Sequence, residues 1–274
     1  MSKSLKLLAF DTSTDRLSVA LTDGTHVWQH SGPGGALAST TLIPAILALL
    51  AEAGLALAQL DAVVFGRGPG SFTGLRTACA VAQGLAFGAN HGAGIPVLPV
   101  DTLMAVAEEA RFQRLGAAGD GGPGALDAPD APLIITALLD ARMDEMYVQS
   151  YKFKSGLCTP IKDCCLIRPE NLVPEPSAHW LAGNVFGVYA GRLPDSLAAL
   201  DCIAALPTAT AMLRLAPALV AAGQCAPAAQ ALPLYVRDKV AQTTEERARI
   251  KADAAALAAE LAAQPVSSTP TLPG

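Results

Sequence analysis

A chain of 274 residues is long enough to bury a large core and to divide into two lobes. Its formal net charge of −5 at pH 7 excludes a free-standing nucleic-acid binder with a broad basic face, and leaves room only for a local basic patch. Although 51% of the residues are hydrophobic, the longest apolar run, residues 42–60, is broken by Pro44, Glu52 and Gly54, so no membrane span is expected.

The opening Met1-Ser2-Lys3-Ser4-Leu5-Lys6 lacks the apolar core of a signal peptide. Residues 5–10 then read as a buried strand, Asp11-Thr12-Ser13-Thr14-Asp15-Arg16 as a turn, and residues 17–22 as the returning strand. Asp23-Gly24 is a hairpin signal, and a third strand follows through His30. The first turn of this meander carries an acid flanked by three hydroxyls. Actin-, hexokinase- and sugar-kinase-like folds hold phosphates and magnesium at such a place. An Asx-type turn, in which Asp11 bonds its own backbone, accounts for the same residues. Beyond the glycine-rich residues 31–35, Ser39-Thr40-Thr41 offers a cap for a helix from about Leu42 to Ala53, ended by Gly54. Leu42, Ile43, Ala45, Ile46, Leu47, Leu49 and Leu50 cover more than one face of it. Such a helix has to be covered on most sides, by the core or by another chain.

Residues 60–65 form the next strand and lead into Gly66-Arg67-Gly68-Pro69-Gly70-Ser71-Phe72-Thr73-Gly74-Leu75-Arg76. The four glycines permit backbone angles or close approaches that a Cβ forbids, and Pro69 fixes one φ. Ser71 or Thr73 can cap the helix that follows. A strand–glycine–helix corner of this kind can cradle an anion on free N–H groups. It can equally be a tight turn that brings a helix close to a sheet. No Gly-Lys-Ser/Thr follows, so it is not a P-loop, and the glycine spacing is wrong for a dinucleotide fingerprint. The helix over residues 71–89 carries Ala78, Ala80, Ala82, Gly84 and Ala86, small residues that allow close helix approach. Residues 95–100 form a short strand, and Asp101-Thr102 caps a helix over residues 103–114. Residues 116–132 are low in complexity and read as a surface insertion.

A second lobe opens at residues 133–139, a buried strand ending in Asp140-Ala141-Arg142, with residues 145–151 returning. This strand–acid–turn–strand pattern echoes the first meander, so Asp11 and Asp140 would face one cleft if the two meanders face each other. Trp180-Leu181-Ala182-Gly183-Asn184 marks a further strand and turn. Alanine-rich helices follow over residues 207–222, a helix-prone stretch over 245–263, and a tail over 264–274 that reads as disordered. The expected division is an N-terminal lobe (1–101), a helix and insertion (102–132), a second lobe (133–240) whose final helices pack back on the first, and a helix-prone then disordered tail (241–274).

Catalytic signals are sparse. His26 and His30 stand four apart in a strand-like segment without the glutamate of a metalloprotease helix, so no metal is expected there. His91 and His179 have no partners nearby in sequence. Ser71 lies in neither a Gly-x-Ser-x-Gly elbow nor a Ser-x-x-Lys pair. The six cysteines form no Cys-x-x-Cys pair, and the adjacent Cys164 and Cys165 suit neither chelation nor a local bridge, so a reduced cytoplasmic protein is expected.

Phe10-Asp11-Thr12-Ser13-Thr14, the string from Gly66 to Arg76, Leu139-Asp140-Ala141-Arg142 and Tyr235-Val236-Arg237 together resemble the TsaB (YeaZ) family, in its order and spacing over residues 5 to about 240. The resemblance implies an α/β, actin/hexokinase-like (ASKHA) fold of two subdomains with mixed sheets flanked by helices. It implies a non-catalytic scaffold and dimerisation subunit that supports a TsaD-type catalytic subunit in threonylcarbamoylation of the tRNA adenosine just 3′ of the anticodon. A TsaE-type ATPase, a second copy of the chain, and tRNA reached only through the complex are the other implied partners. The catalytic paralogue carries a His-x-x-x-His metal pair near the start of its corresponding helix; here Ala38-Ser39-Thr40-Thr41-Leu42-Ile43 contains no histidine. No catalytic residue, metal or tightly bound cofactor is therefore expected, with ATP used by the complex and at most a weak nucleotide contact. Asp11, Thr12, Ser13, Gly68, Gly70 and Asp140 would face any vestigial nucleotide. The expected partner face is Leu42, Ile43, Ile46, Leu49, Leu50, Thr73, Leu75, Arg76, Ala78 and Ala82. The alternative is an ATP-binding kinase or ATPase of the same superfamily, using Asp11, Thr12, Gly68 and Asp140.

Overall fold

Alternation along the first strand sets the layering. In β1 (Leu7–Asp11), Leu7 and Ala9 point to one face of a sheet while Leu8 and Phe10 point to the other, and both faces are buried. The computed structural model describes residues 4–116 and 132–237, and those up to Val236 belong to one unit. β2 (Arg16–Thr22) and β3 (Val27–Pro33) complete an antiparallel meander. After α1 (Ala38–Ala53), β4 (Ala62–Gly68) returns parallel to β1. α2 (Phe72–Gly88) then crosses to β5 (Val97–Asp101), parallel to β4, and α3 (Thr102–Gly116) follows. The first sheet runs β3-β2-β1-β4-β5.

The second sheet repeats this plan. β6 (Leu133–Asp140), β7 (Met146–Lys154) and β8 (Leu157–Pro160) form an antiparallel meander, with β9 (Cys165–Ile167) also paired to β7. β10 (Trp180–Gly183) lies parallel to β6. A short helix α4 (Val185–Val188) comes next, and β11 (Asp201–Ala204) lies parallel to β10. α5 (Ala209–Ala221) follows. The order β8-β7-β6-β10-β11 reproduces the first sheet strand for strand and direction for direction. Asp11 and Asp140 close equivalent strands.

The two closing helices exchange places. α3 packs on β6 and β10 of the second sheet, whereas α5 packs on β1, β2 and β4 of the first. They touch each other and fill the space between the sheets with Leu103, Val106, Met212 and Ala216. The outer face of the first sheet is covered by α1 and α2, and the second sheet's other face by α4 and the turns around Leu172 and Leu197.

Three expectations need comment. α1 starts at Ala38, not at Leu42, because a 3-10 turn at Gly35–Leu37 feeds it directly. Ser39, Thr40 and Thr41 therefore lie inside the first turn, and their hydroxyls donate back to the carbonyls of Ala36 and Leu37 instead of capping. Among the described residues, Gly35–Ala53 is the one stretch long and apolar enough to cross a membrane by length and composition. Its Leu42, Ile46, Leu49 and Leu50 pack into the core beside the first sheet. The expectations for residues 117–131, for 245–263 and for 264–274 lie outside the described residues, as do Met1 to Lys3.

Candidate functional site

The acid turn after β1 and the glycine turn after β4 interlock. Ser71 N–H donates to Ser13 O at 2.8 Å, and the Thr12 hydroxyl donates to Gly74 O at 2.7 Å. A Cβ on Gly74 would lie 1.9 Å from Thr12 O, and one on Gly70 would lie 2.6 Å from the Ser13 Cβ. Ser71 caps α2 by accepting from Gly74 N–H. Gly68 has φ of +124°, and a Cβ there would lie 2.6 Å from Leu234 O. Leu234 N–H in turn donates to Arg67 O. The glycines thus let the chain itself fill the corner, with β1's turn on one side and residues 231–236 on the other. Thr12, Ser13, Gly68 and Gly70 are brought together here.

Asp11 sits beneath this corner, fully buried. Its Oδ1 accepts from Ser13 N–H at 2.9 Å and from the Ser13 hydroxyl at 2.6 Å. Its Oδ2 has no hydrogen-bond partner among the described residues. A Cβ on Gly66 would lie 1.9 Å from that oxygen. Burial raises the pKa to about 6 against the opposing pull of the Ser13 hydrogen bonds.

Asp140 occupies the matching position in the second lobe and is committed there. Its carboxylate accepts from the Tyr189 hydroxyl at 2.7 Å and from Arg142 N–H at 2.9 Å, and pairs with the Arg142 guanidinium at 3.2 Å. Asp140 N–H donates to Asn184 Oδ1. Arg142, Met143 and Asp144 all have left-handed φ, between 55° and 61°. Three consecutive non-glycine residues of this kind cost of order 1–2 kcal/mol each. Tyr189 and Leu234 were not legible in the sequence, and Asn184 was legible only as the end of a strand and turn, since each meets its partner only through the fold.

The expected partner face divides in two. Leu42, Ile46, Leu49, Leu50, Leu75, Ala78 and Ala82 are buried in the chain's own core, because α1 and α2 each turn one flank to the first sheet; a partner cannot reach them. Ile43, Thr73 and Arg76 are exposed, together with Leu47, Phe72, Ala80 and Gly84, which the sequence had not distinguished from their neighbours. α1 and α2 carry one charged residue each, Glu52 and Arg76. Arg76 stacks over the Phe72 ring at 3.8 Å, and its Nε donates to the Tyr235 hydroxyl at 3.2 Å. Among the described residues no group of three or more His, Cys, Asp or Glu side chains could hold a metal.

Residues 37–266 match the family model for TsaD, tRNA N6-adenosine threonylcarbamoyltransferase. The chain is 33% identical over 255 residues to the tRNA threonylcarbamoyladenosine biosynthesis protein TsaB of Haemophilus influenzae, covering 87% of this chain and 96% of that one. Against the protein of the same name from Escherichia coli the identity is 30%, with 86% and 96% covered. The solved structure of YeaZ from Pseudomonas aeruginosa superposes with a TM-score of 0.70 at 36% identity, covering 84% of this chain and 99% of that one. With two mixed sheets of one repeated plan, the fold is the actin/hexokinase-like α/β fold. On this likeness over nearly its whole relatives' length, the chain belongs to the TsaB (YeaZ) family, whose role lies in tRNA threonylcarbamoyladenosine biosynthesis.

Proposed function

We propose that the chain acts in the cytoplasm as a non-catalytic scaffold that binds a TsaD-type catalytic subunit and orients it for threonylcarbamoyl transfer to the tRNA adenosine just 3′ of the anticodon. The observation that carries this reading is the enclosure of both strand-end acids, Asp11 by burial and Asp140 by its partners. In a kinase of this fold such acids manage magnesium and the attacking hydroxyl. Here Asp11 is buried beneath its own glycine corner and Asp140 is held by Tyr189 and Arg142. In this reading neither acid holds a nucleotide, and ATP use falls to a TsaE-type ATPase in the complex.

The outward face of α1 and α2 is the docking surface in this reading. It offers Ile43 and Leu47 beside the small residues Ala80 and Gly84, and apolar area of this kind is worth about 25 cal/mol per Å² once covered. The occupant is a protein of the same fold, since a chain matched by the TsaD model over residues 37–266 shares both helices with a TsaD-type subunit. A second copy of this chain takes the same face when the catalytic subunit is absent. Positioning of this kind can be worth several kcal/mol of barrier. Depletion of the protein should therefore remove threonylcarbamoyladenosine from tRNAs that read codons beginning with A. Mass spectrometry of tRNA nucleosides checks this, and normal modification without a compensating paralogue refutes it. ATP turnover by the purified chain that disappears in Asp11→Ala would revive the kinase alternative.

A further inference from the structure

Of the described arginines, those at 67, 111, 114, 142, 192 and 214 are each paired with a carboxylate, whereas Arg16 donates to the Ser31 hydroxyl. Arg76 is held differently. Its guanidinium lies 3.8 Å over the Phe72 ring, and its Nε donates to the Tyr235 hydroxyl. These contacts fix its direction without cancelling its charge. Among the described residues nothing accepts from its two terminal nitrogens, so the edge of the fork that suits a phosphate stays open. The rings of Phe72 and Tyr235 lie 5.3 Å apart and are 38% and 44% exposed. Tyr235 is anchored by its neighbour, since Leu234 N–H donates to Arg67 O at 2.7 Å. The stretches that build this patch, residues 62–88 and 225–236, carry Arg67, which is paired with Asp101, and Arg76, which is paired with no carboxylate among the described residues, in a chain whose net charge is −5.

We infer that Phe72, Arg76 and Tyr235 form a contact site for a single-stranded segment of RNA, with the guanidinium on a phosphate and an exposed ring against an unpaired base. A fixed cation beside exposed rings matches that ligand in two respects: aromatic faces accept any base, and a guanidinium takes the backbone. A protein partner could use the same three side chains, so the test reads capture of the catalytic subunit beside binding of tRNA. One cation makes the contact weak alone, and it adds to whatever grip the catalytic subunit has on the same RNA, as linked sites do. The inference rests on the proposed role beside tRNA, and assigns this chain a direct share in holding it.

The test is ultraviolet crosslinking of an unmodified tRNA transcript to the full chain, alone and mixed with the catalytic subunit, followed by mapping of the crosslinked peptides. Crosslinks at Phe72 or Tyr235 are expected. Arg76→Ala should weaken tRNA binding by the mixture several-fold, and reduce the slope of log affinity against log salt by about 0.7–0.9. Arg76→Lys should restore the salt slope and part of the affinity. Arg76 is exposed, so both variants should melt as the parent does. Crosslinks confined to other peptides, or none at all, would overturn the inference. So would an Arg76→Ala protein that binds tRNA normally and loses the catalytic subunit. Depletion decides the proposed role separately, because crosslinking does not depend on modification.

Discussion

Asp11 is the residue at which structure and pH are most tightly joined. Its carboxyl titrates near pH 6 in the folded chain against an ordinary value of 3.8, because burial disfavours the charged form. A raised acid binds its proton more firmly when folded. Its contribution to stability is therefore fully present below about pH 4, and is lost as pH rises through 6. The shift corresponds to about 3 kcal/mol by neutral pH. Asp11→Asn should flatten this dependence: the denaturation midpoint of the parent falls between pH 4 and 7 relative to that of the variant. Parallel curves for the two proteins would show that Asp11 ionises as freely folded as unfolded. The glycines beside it are constrained for another reason. Gly70 does not have a left-handed φ; its constraint is space, since a Cβ would meet the Ser13 Cβ at 2.6 Å and Ser13 O at 2.7 Å. Gly70→Val should therefore open the corner, cost several kcal/mol of stability, and lower the melting temperature.

At the scale of elements, motif-bearing corners were legible and the sides of apolar helices were not. Turn chemistry is local, so the Asp11 turn, the Ser71 cap and the Asp140 turn could be read from adjacent residues. The echo between the two meanders was legible for the same reason. Leu42, Ile43, Ile46 and Leu47 look alike in sequence, and only the packing of α1 against the first sheet separates them into core and surface. The start of α1 was misplaced because Ser39, Thr40 and Thr41 have the composition of a cap, while the backbone bends earlier, at Gly35. This division makes the docking proposal testable with a paired control. Ile46→Asp or Leu50→Asp places an unpaired charge in the core and should abolish cooperative melting. Ile43→Asp and Leu47→Asp place it on the exposed face, where the fold should survive within about 0.5 kcal/mol. Those two variants should lose self-association in light scattering and lose capture of the catalytic subunit. Unchanged association in both would mean that this face is not the interface.

At the scale of the whole molecule, the duplicated plan is unequal. The first lobe carries α1 and the long α2, whereas the second follows β10 with only the four residues of α4. A paired-helix face is therefore displayed on one lobe alone, which suits one protein partner. The lobes are joined by the exchange of α3 and α5, and a buried charge cluster sits where those helices meet. Glu108, 2% exposed, accepts from Arg111 on its own helix at 2.7 Å and from Arg214 on α5 at 2.8 Å. Arg214 also reaches Glu109, which accepts from the Thr208 hydroxyl. None of this was legible in the sequence, because α3 and α5 are separated by the whole second sheet. A cluster of this kind contributes little net stability while intact, and leaves an uncompensated buried charge when broken. Glu108→Gln takes the carboxylate charge from Arg111 and leaves Arg214 with Glu109 alone, and should cost about 1–3 kcal/mol in urea denaturation. The combined variant Glu108→Leu with Arg214→Met removes the bridge between the helices from both sides and should recover part of that loss, while Arg111 loses its Glu108 contact and Glu109 its Arg214 contact. Because each closing helix rests on the other lobe's sheet, both lobes should unfold in a single transition in the parent and in the weakened variant. Two separated transitions for Glu108→Gln, read by far-ultraviolet circular dichroism and by fluorescence of Trp28 and Trp180, would show that the lobes are stable units without this junction, and that the helix exchange does not bind them into one.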